Sequence, residues 1–533
     1  MDCQSTSIAF SSTGAFTRIA MDYVAQAASL RPFYKHETGR DGIRQSIEER
    51  RKAPDHRAVL SGVLREQYEG VETSEKTSSN LAALAKPNSF TVTTAHQNNL
   101  FTGPLYFIYK ILHVVKLAEE LSALYPADHF IPVYYMGSED ADLQELNHVT
   151  VYGNKHSWNP IQDGAVGRMK VDYKLLQLVD TLTGQLSVTE EGQEIMAAVR
   201  KFYREGETIQ RATFLFVNYL LGEFGVVVLI PDHAKLKSLV FPIFEDELLN
   251  QTASGIVQKS AAELGRYYKV QAHPREINLF YLDEQVRERI EREGETWKVR
   301  QTGQEFSREG ILLELREHPE RFSPNVILRG LYQETILPNI LFVGGGGELA
   351  YWLELRQLFE HYRVPMPVLM LRNSFLVTGK RQAAALQKLG FTVADIFIPA
   401  DELLNRLVKR ETDKNLSIHS FIDSTNELYG SLLTQATQVD PTLSRHVDAL
   451  RAKSLYRLVE LQKKILRAEK RNFADRGRQI NALKKELFPN GSLQERVDNI
   501  LPLYARQGRK LLHELHRHSP GIDAAFIILE CGD

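Results

Sequence analysis

The sequence predicts an α/β protein whose core is a Rossmann-like, doubly wound parallel sheet. Several continuous apolar runs of seven or eight residues are each followed by a helical pattern, at 89–96, 130–137, 225–232, 339–345 and 365–371. Continuous apolar strands are typical of parallel sheets that are covered on both faces. Their alternation with helices favours the doubly wound class.

The uneven spacing of these runs predicts inserted segments. About ninety residues separate the second run from the third, far more than one crossover connection requires. We therefore expect a core over residues 1–375 with connecting insertions at about 155–220 and 260–328.

The character of the chain changes after this core. Residues 376–410 predict an α/β element that links the core to an arm. Residues 411–490 carry little strand signal and have apolar residues at 3-4 spacing, which predicts a helical coiled-coil arm. In 491–533, Ser492 and Glu495 form a capping-box pattern for a helix, and the strand "AAFIILECGD" returns to the core.

Composition excludes several classes of function. The 533 residues carry a formal charge of −2, which gives no support to a nucleic-acid partner. The apolar runs are far too short to span a membrane, and the N-terminal pattern is not that of a signal peptide. Because the two cysteines, Cys3 and Cys531, lie near opposite ends, we expect no structural disulfide and a cytoplasmic protein.

A first candidate site is the stretch "TVTTAHQNNLFTGPLYF", where a strand leads into a helix. We expect Thr102 to cap this helix, with Gly103 and Pro104 opening it. Free N–H groups at such a start bind phosphate or carboxylate, with His96 and Gln97 as further donors. A well-capped helix with a surface histidine is an equally good interpretation.

Polar residues crowd the end of the next strand. Carboxylates packed this closely could bind an ammonium group or a metal, or act as a general base. The alternative is a solvated acidic helix start. The candidates are Ser138, Glu139, Asp140, Asp142, Asn147 and His148.

The four glycines Gly344 to Gly347 precede Glu348 at another predicted strand end. The run fails the known phosphate-loop patterns, and a carboxylate at this position would repel phosphate and attract a cation. We therefore predict that Gly345, Gly346 and Gly347 allow a ligand to approach, while Glu348, Tyr351 and Trp352 face it. The alternatives are a hinge, or a helix entry where Glu348 serves only the helix dipole.

Other segments add weaker candidates. "NVILRGLYQETILP" offers Arg329, Tyr332 and Gln333, and "MLRNS" places Arg372 and Asn373 at a strand end. The segment "AHPREIN" in the second insertion could reach a ligand through His273 and Arg275.

Four segments together resemble the bacillithiol biosynthesis cysteine-adding enzymes, namely "HQNNLFTGPLYFIYK", "PVYYMGSEDADLQELNHV", "SPNVILRGLYQETILPN" and "GGGGELAYWLELRQLFEHYRVPMPVLMLRNS". The resemblance covers nearly the whole chain. It implies a Rossmann-type core with two connecting insertions and an antiparallel coiled-coil arm. It also implies that cysteine is added to the amine of glucosaminyl-malate to give an amide.

Amide formation from a carboxylate needs activation, so we expect ATP, with Mg²⁺ as a possible companion and no dedicated metal site. The Thr102–Gly103 start, with Gln97 and Arg372, would bind phosphate or carboxylate. Glu348 and the group Glu139, Asp140 and Asp142 would bind an amine or act as base, and His96 is a further catalytic candidate. We also expect a homodimer through the arm. The alternatives are a nucleotidyltransferase-like enzyme for another acceptor and a non-catalytic coiled-coil scaffold.

Overall fold

A computed structural model describes residues 3–532 and divides the chain into two compact units. The first unit comprises Met1–Val377 and Ser492–Asp533, and the second comprises Thr378–Gly491. Within residues 3–532, no helix is both long enough and apolar enough to cross a membrane.

The strands are β1 (Gln4–Ile8), β2 (Ser89–Gln97), β3 (His129–Gly137), β4 (His148–Val151), β5 (Asn154–Ser157), β6 (Val227–Leu229), β7 (Leu279–Asp283), β8 (Val286–Glu293), β9 (Thr296–Val299), β10 (Glu305–Phe306), β11 (Phe322–Pro324), β12 (Asn339–Gly344), β13 (Val368–Leu371), β14 (Ser374–Gly379) and β15 (Phe526–Cys531).

The α-helices are α1 (Arg18–Val24), α2 (Arg40–Lys52), α3 (Arg57–Gln67), α4 (Glu75–Ala83), α5 (Tyr106–Leu124), α6 (Leu143–Leu146), α7 (Tyr173–Leu186), α8 (Glu190–Phe202), α9 (Ile209–Leu221), α10 (Ala234–Lys237), α11 (Phe241–Asn250), α12 (Thr252–Leu264), α13 (Arg308–Glu317), α14 (Val326–Ile336), α15 (Gly346–Trp352), α16 (Arg356–Tyr362), α17 (Lys380–Lys388), α18 (Ala400–Glu411), α19 (His419–Val439), α20 (Ser444–Lys470), α21 (Ala474–Leu487), α22 (Ile500–Gln507) and α23 (Lys510–His518).

The five predicted apolar runs form one parallel sheet in the order β13-β12-β2-β3-β6. This confirms the predicted Rossmann-like class, although the third run contributes only the short β6. Gln97 lies opposite Gly137, and Gly344 lies opposite Leu371. The carboxyl ends of four neighbouring strands therefore meet at one edge, where doubly wound sheets bind ligands.

The core lies between this sheet and its helices. Phe90 and Val92 of β2 pack in one buried cluster with Leu341 and Val343 of β12. Helix α5 is apolar almost all round, as expected for a helix buried within a domain. Its Lys110 is buried as well, which places one ammonium group behind the ligand edge.

The two predicted insertions contain different structures. The region 155–220 contains α7, α8 and most of α9, and 260–328 contains an antiparallel sheet in the order β10-β9-β8-β7-β11. The second insertion supplies side chains to the site described below.

The expectation of no disulfide is wrong, because Cys3 is bonded to Cys531. Strand β15 lies between β1 and β14, and its antiparallel pairing with β1 sets Gln4 opposite Glu530. One step further along this register, the two cysteines face each other, with their Cα atoms 4.3 Å apart. The sequence separation of 528 residues therefore says nothing about their distance in space.

Two predicted helix starts also differ from the structure. Leu105, and not Thr102, precedes the first turn of α5, and the loop before it is buried under Asn499, whose amide donates to the carbonyls of Phe101 and Gly103. Glu495 does not form a capping box with Ser492; its carboxylate binds the Arg372 guanidinium instead. In both cases a long-range contact replaces the local one.

The second unit is helical from Lys380 onward, with α17 and α18 in the region predicted as an α/β link. Helices α19 and α20 pack against each other as an antiparallel hairpin, joined by a short turn at 440–443. All described residues of α19 are at least partly exposed. The predicted coiled-coil arm is thus confirmed as a hairpin that leaves much apolar surface in solvent.

Candidate active site

A cavity of about 620 Å³ opens at the carboxyl edge of the parallel sheet. The ends of β2, β3 and β13 form part of its wall, together with the first turns of α5, α14 and α15. The second insertion contributes the remaining side through residues 273–287. The insertion therefore completes the site that the sheet begins.

Many predicted site residues line this cavity. They come from five separate stretches of sequence, and only the fold brings them together. They are His96, Gln97, Asp140, Arg329, Gly345, Gly346, Gly347, Glu348, Tyr351 and Arg372.

Other predicted residues do not line it. Several of them have clear structural contacts elsewhere in the first unit. They are Thr102, Gly103, Ser138, Glu139, Asp142, Asn147, His148, Tyr332, Gln333, Trp352 and Asn373.

Glu139 and Asp140 are adjacent in sequence, but their carboxylates have different surroundings. Its side chain pairs with the buried Lys237, which also donates to Asp232 at 3.0 Å. Asp140, the next residue, turns into the cavity. Asp142 is exposed and caps the short helix α6 by accepting from the N–H of Glu145.

Three other predicted binding residues support the core. Trp352 stacks between Phe342 and Phe359, and the Tyr332 hydroxyl donates to the carbonyl of Pro231 at 2.6 Å. The side-chain amide of Asn373 donates to the carbonyl of Pro520 at 2.7 Å, which anchors the C-terminal segment. These side chains hold the walls of the site in place.

Glu348 is bound by an ammonium group of the protein itself. The Nζ atom of Lys110 lies 2.9 Å from Oε1 and 2.7 Å from Oε2 of Glu348, and it also donates to the carbonyl of Ala95 at 2.6 Å. Glu348 Oε2 accepts the N–H of Gly345 at 2.7 Å. Burial lowers the pKa of Lys110, and the charge of Glu348 opposes this effect.

The glycine run is tightly packed at Gly344 and open at Gly347. A Cβ atom on Gly344 would lie 3.0 Å from the Phe342 ring, whereas one on Gly347 would meet nothing within 4 Å. Gly347 lines the cavity. The backbone at this position is therefore open to a bound molecule.

Asp140 is held as a carboxylate. Gln97 donates to its Oδ2 at 2.8 Å, and the Arg329 guanidinium lies 4.0 Å away. Burial alone would raise the pKa of Asp140, but Arg329, Gln97 and Arg287 together hold it below its usual value. Asp140 is therefore suited to binding a cation and poorly suited to accepting a proton.

His96 is neutral at pH 7. Burial lowers the pKa of its imidazole well below the usual value, and the charges of Lys110 and Arg372 lower it further. The ring packs against Tyr106 and Phe107, and its Nε2 atom is buried without a hydrogen-bond partner among the described residues. This environment disfavours His96 as a general base.

Arginines dominate the charge of the cavity. They outnumber its acidic residues, Asp140, Glu145 and Glu348, of which Glu348 already pairs with Lys110. Such an excess of fixed cations favours an anionic ligand. The arginines are Arg275, Arg287, Arg329, Arg372 and Arg496.

Sequence reasoning missed several of these groups. Arg287 lies in a strongly charged strand, and Arg496 follows the arm, so nothing local marked either residue. Lys110 offered one signal, a lone lysine in the apolar helix "YFIYKILHVV". Because a buried lysine needs a partner, the sequence does mark Lys110 as a residue that pairs with an acceptor elsewhere in the fold.

Comparison with known proteins decides the family. Residues 1–373 match the family model described as "Bacillithiol biosynthesis BshC, N-terminal Rossmann-like domain", and residues 375–531 match "Bacillithiol biosynthesis BshC, C-terminal coiled-coil domain". The chain belongs to the BshC family. Both the predicted family and the predicted fold class are thereby confirmed.

Curated members of the BshC family are similar over nearly their whole length. Relatives from Flavobacterium johnsoniae and Cytophaga hutchinsonii are 36% and 37% identical, covering 98% and 94% of this chain and 99% and 94% of the relative. A relative from Salinibacter ruber is 32% identical and covers 96% of both chains. Each is named "Putative cysteine ligase BshC". These names support the predicted ligase class of enzyme.

Proposed function

We propose that this protein joins the carboxyl group of L-cysteine to the amine of glucosaminyl-malate, which completes bacillithiol. The observation that carries this proposal is the cavity itself, which places a surplus of arginines beside the carboxylates of Asp140, Glu145 and Glu348 at the ligand edge of the sheet. A substrate with carboxylates at one end and an amine at the other would match both features. Membership in the BshC family supports the same reaction.

The arginines would bind the malate part of the acceptor. Arg275 and Arg287 enter from the second insertion, and Arg329 enters from α14. The Arg287 guanidinium lies 3.9 Å from the centre of the Phe280 ring, and its Nε is buried with no hydrogen-bond partner among residues 3–532. A buried donor without a partner is costly, and a ligand carboxylate would satisfy it.

The carboxylates would bind the nitrogen groups. Asp140 stays ionised and would hold the ammonium group of cysteine. The sugar amine attacks in its neutral form, and Glu348 would take the proton that is released as the amide forms. Glu348 is 25% exposed and lies at the cavity wall, so its carboxylate is accessible to a substrate.

ATP would supply the free energy that activates the cysteine carboxyl group. Arg372 and Arg496 suit phosphate oxygens as donors. The Gln97 amide, which the sequence also suggested for this role, already donates to the carboxylates of Asp140 and Glu145. Mg²⁺ would enter with the phosphates; no group of three or more His, Cys, Asp or Glu residues within the described chain is placed to hold a metal. The loop at Thr102 and Gly103, where the sequence predicted phosphate binding, is buried and does not line the cavity, so we assign it no phosphate role.

We further propose a cytoplasmic homodimer. The need for ATP supports the location, whereas the disulfide argues in the other direction, since such bonds are rare in the cytosol. Apolar side chains of the arm support the dimer: Phe421, Leu428 and Leu432 share one face of α19 and are 64%, 58% and 42% exposed. An exposed apolar stripe of this length is typical of an interface.

The decisive experiment mixes purified protein with ATP, cysteine and glucosaminyl-malate and follows the products by mass spectrometry. We expect bacillithiol together with AMP or ADP, in equal amounts. The nucleotide product would also show whether cysteine is activated as an adenylate or as a phosphate. Folded protein that forms neither product would refute the proposal, and turnover with a different amino-sugar acceptor only would favour the alternative enzyme.

A further inference from the structure

Lys110 lies beneath the cavity and connects three elements of the site. Its side chain is 1% exposed, and its ammonium group donates to the carbonyl of Ala95 on β2 and to both carboxylate oxygens of Glu348 on α15. A lysine ammonium has three N–H donors, and these acceptors use all of them. Lys110 therefore has no donor left for a ligand and can act only through its partners.

Glu348 connects Lys110 to the backbone of the glycine run. Its Oε2 atom accepts both the Lys110 ammonium and the N–H of Gly345. One carboxylate thus fixes the backbone that begins α15 while it remains partly exposed to the cavity. Rotation of the Glu348 side chain away from this position would break bonds to two separate elements.

We propose that Lys110 is a positioning residue, which holds the Glu348 carboxylate in the orientation needed to take the proton of the attacking amine. This inference rests on the proposed function. In that reaction the amine nitrogen forms a bond to the cysteine carbonyl carbon, the activating group leaves with its electron pair, and the released proton passes to Glu348. Lys110 keeps its own protons throughout.

Two cations and two neutral hydroxyls face the carboxylate of Glu348. The groups that face its carboxylate are Lys110 and Tyr106 from α5, Arg372 after β13, and Tyr351 from α15. Tyr106 and Tyr351 are neutral at pH 7, because burial raises the pKa of both hydroxyls. Lys110 is the cation that binds the Glu348 carboxylate directly, and its removal would leave only Arg372 among these groups as a cation.

The test compares Lys110→Met with Lys110→Arg and with Lys237→Met. Lys237 is a matched control, since it is a buried lysine of the same unit that pairs with carboxylates and does not line the cavity. We expect Lys110→Met to lower kcat about 100-fold, because misplacing a reacting group by about 1 Å can cost that much. The KM for glucosaminyl-malate should change little, because Lys110 has no donor left for a ligand.

Lys110→Arg should restore part of kcat. Lys237→Met should reduce stability without a comparable loss of kcat. If Lys110→Met retains kcat, the inference is wrong. If Lys110→Met does not fold, Lys110→Arg decides instead: its larger guanidinium cannot reproduce all three bonds of the ammonium group, so kcat should fall with the KM for glucosaminyl-malate unchanged, and a wild-type kcat would overturn the inference.

Hydrogen exchange provides a readout without catalysis. In Lys110→Met the peptide that contains residues 343–349 should exchange faster, because the Gly345 N–H loses its fixed acceptor, and Lys237→Met should leave that peptide unchanged. Faster exchange in a protein without ligase activity would refute the proposed function and keep the positioning role. Unchanged exchange would refute the positioning role, whatever the activity.

Discussion

The guanidinium of Arg372 binds both carboxylate oxygens of Glu495, at 2.7 and 3.0 Å, and both side chains are almost fully buried. Arg372 also lines the cavity and lies over the ring of Tyr106. A residue that follows the arm in sequence thus fixes a cation in the wall of the active site.

Glu495→Gln should lower both stability and activity. Breaking a buried ion pair leaves an unpaired charge, which costs about 3 to 5 kcal/mol in the free energy of unfolding. Denaturant unfolding measures this loss. Glu360→Gln is the control, because Glu360 pairs with Arg356 at the surface and should cost about 0.5 kcal/mol or less. Equal losses in the two variants would contradict the prediction.

Arg287→Met should raise the KM for glucosaminyl-malate. A hydrogen bond to a charged group is worth about 1.5 to 3 kcal/mol, which corresponds to roughly a 10- to 100-fold change. Steady-state kinetics with the acceptor varied would show it, while the KM for cysteine should change little. Arg308→Met, an exposed arginine of the same insertion that does not line the cavity, should behave as wild type.

The contribution of Asp140 to stability should depend on pH. Its pKa is lower in the folded protein than the value of about 3.9 in an unfolded chain. The ionised form therefore stabilises the fold above that unfolded value, and the effect is lost as the pH falls through the folded pKa. Asp140→Asn should be least stable relative to wild type near pH 7, with the difference shrinking in acid. A difference that stays constant from pH 7 to pH 3 would count against this.

The double variant Cys3→Ser with Cys531→Ser should unfold more easily. The bond closes a loop that spans nearly the whole chain, and native disulfides contribute about 2 to 5 kcal/mol. Adding reductant should lower the free energy of unfolding of the wild-type protein by the same amount as the double substitution does. Alkylation of both cysteines in native, unreduced protein would show that the bond is not formed in solution.

Leu428→Glu together with Leu432→Glu should convert a dimer to a monomer. Both residues lie on the exposed apolar face of α19, where a charge could not be buried without a partner. Light scattering after size-exclusion chromatography gives the mass directly. Val188→Glu, at a site that is 84% exposed in the first unit, should leave the mass unchanged. A wild-type monomer at micromolar concentration would refute the dimer.

The sequence predicted those parts of the molecule that depend on local pattern. The parallel strands are continuous apolar runs, and Glu348 stands where a helix begins, so both were visible in short windows. Lys110, Arg287 and Glu495 were not recognised, because their roles depend on neighbours more than a hundred residues distant or on another sheet. Glu348 was expected to attract an external amine, whereas its carboxylate is bound by Lys110, which lies 238 residues earlier. The lone lysine in an apolar helix was a signal that Lys110 needs a partner, but no local pattern identified that partner as Glu348.

The pairing of Arg372 with Glu495 can form only late in synthesis. These residues are 123 positions apart, and at roughly 5 to 20 residues per second a ribosome needs about 6 to 25 s to pass from one to the other. During that interval the arm is synthesised, Arg372 does not yet have the Glu495 carboxylate as a partner, and β14 does not yet have β15 beside it. The nascent core must therefore remain soluble with an open sheet edge until the last strand is made.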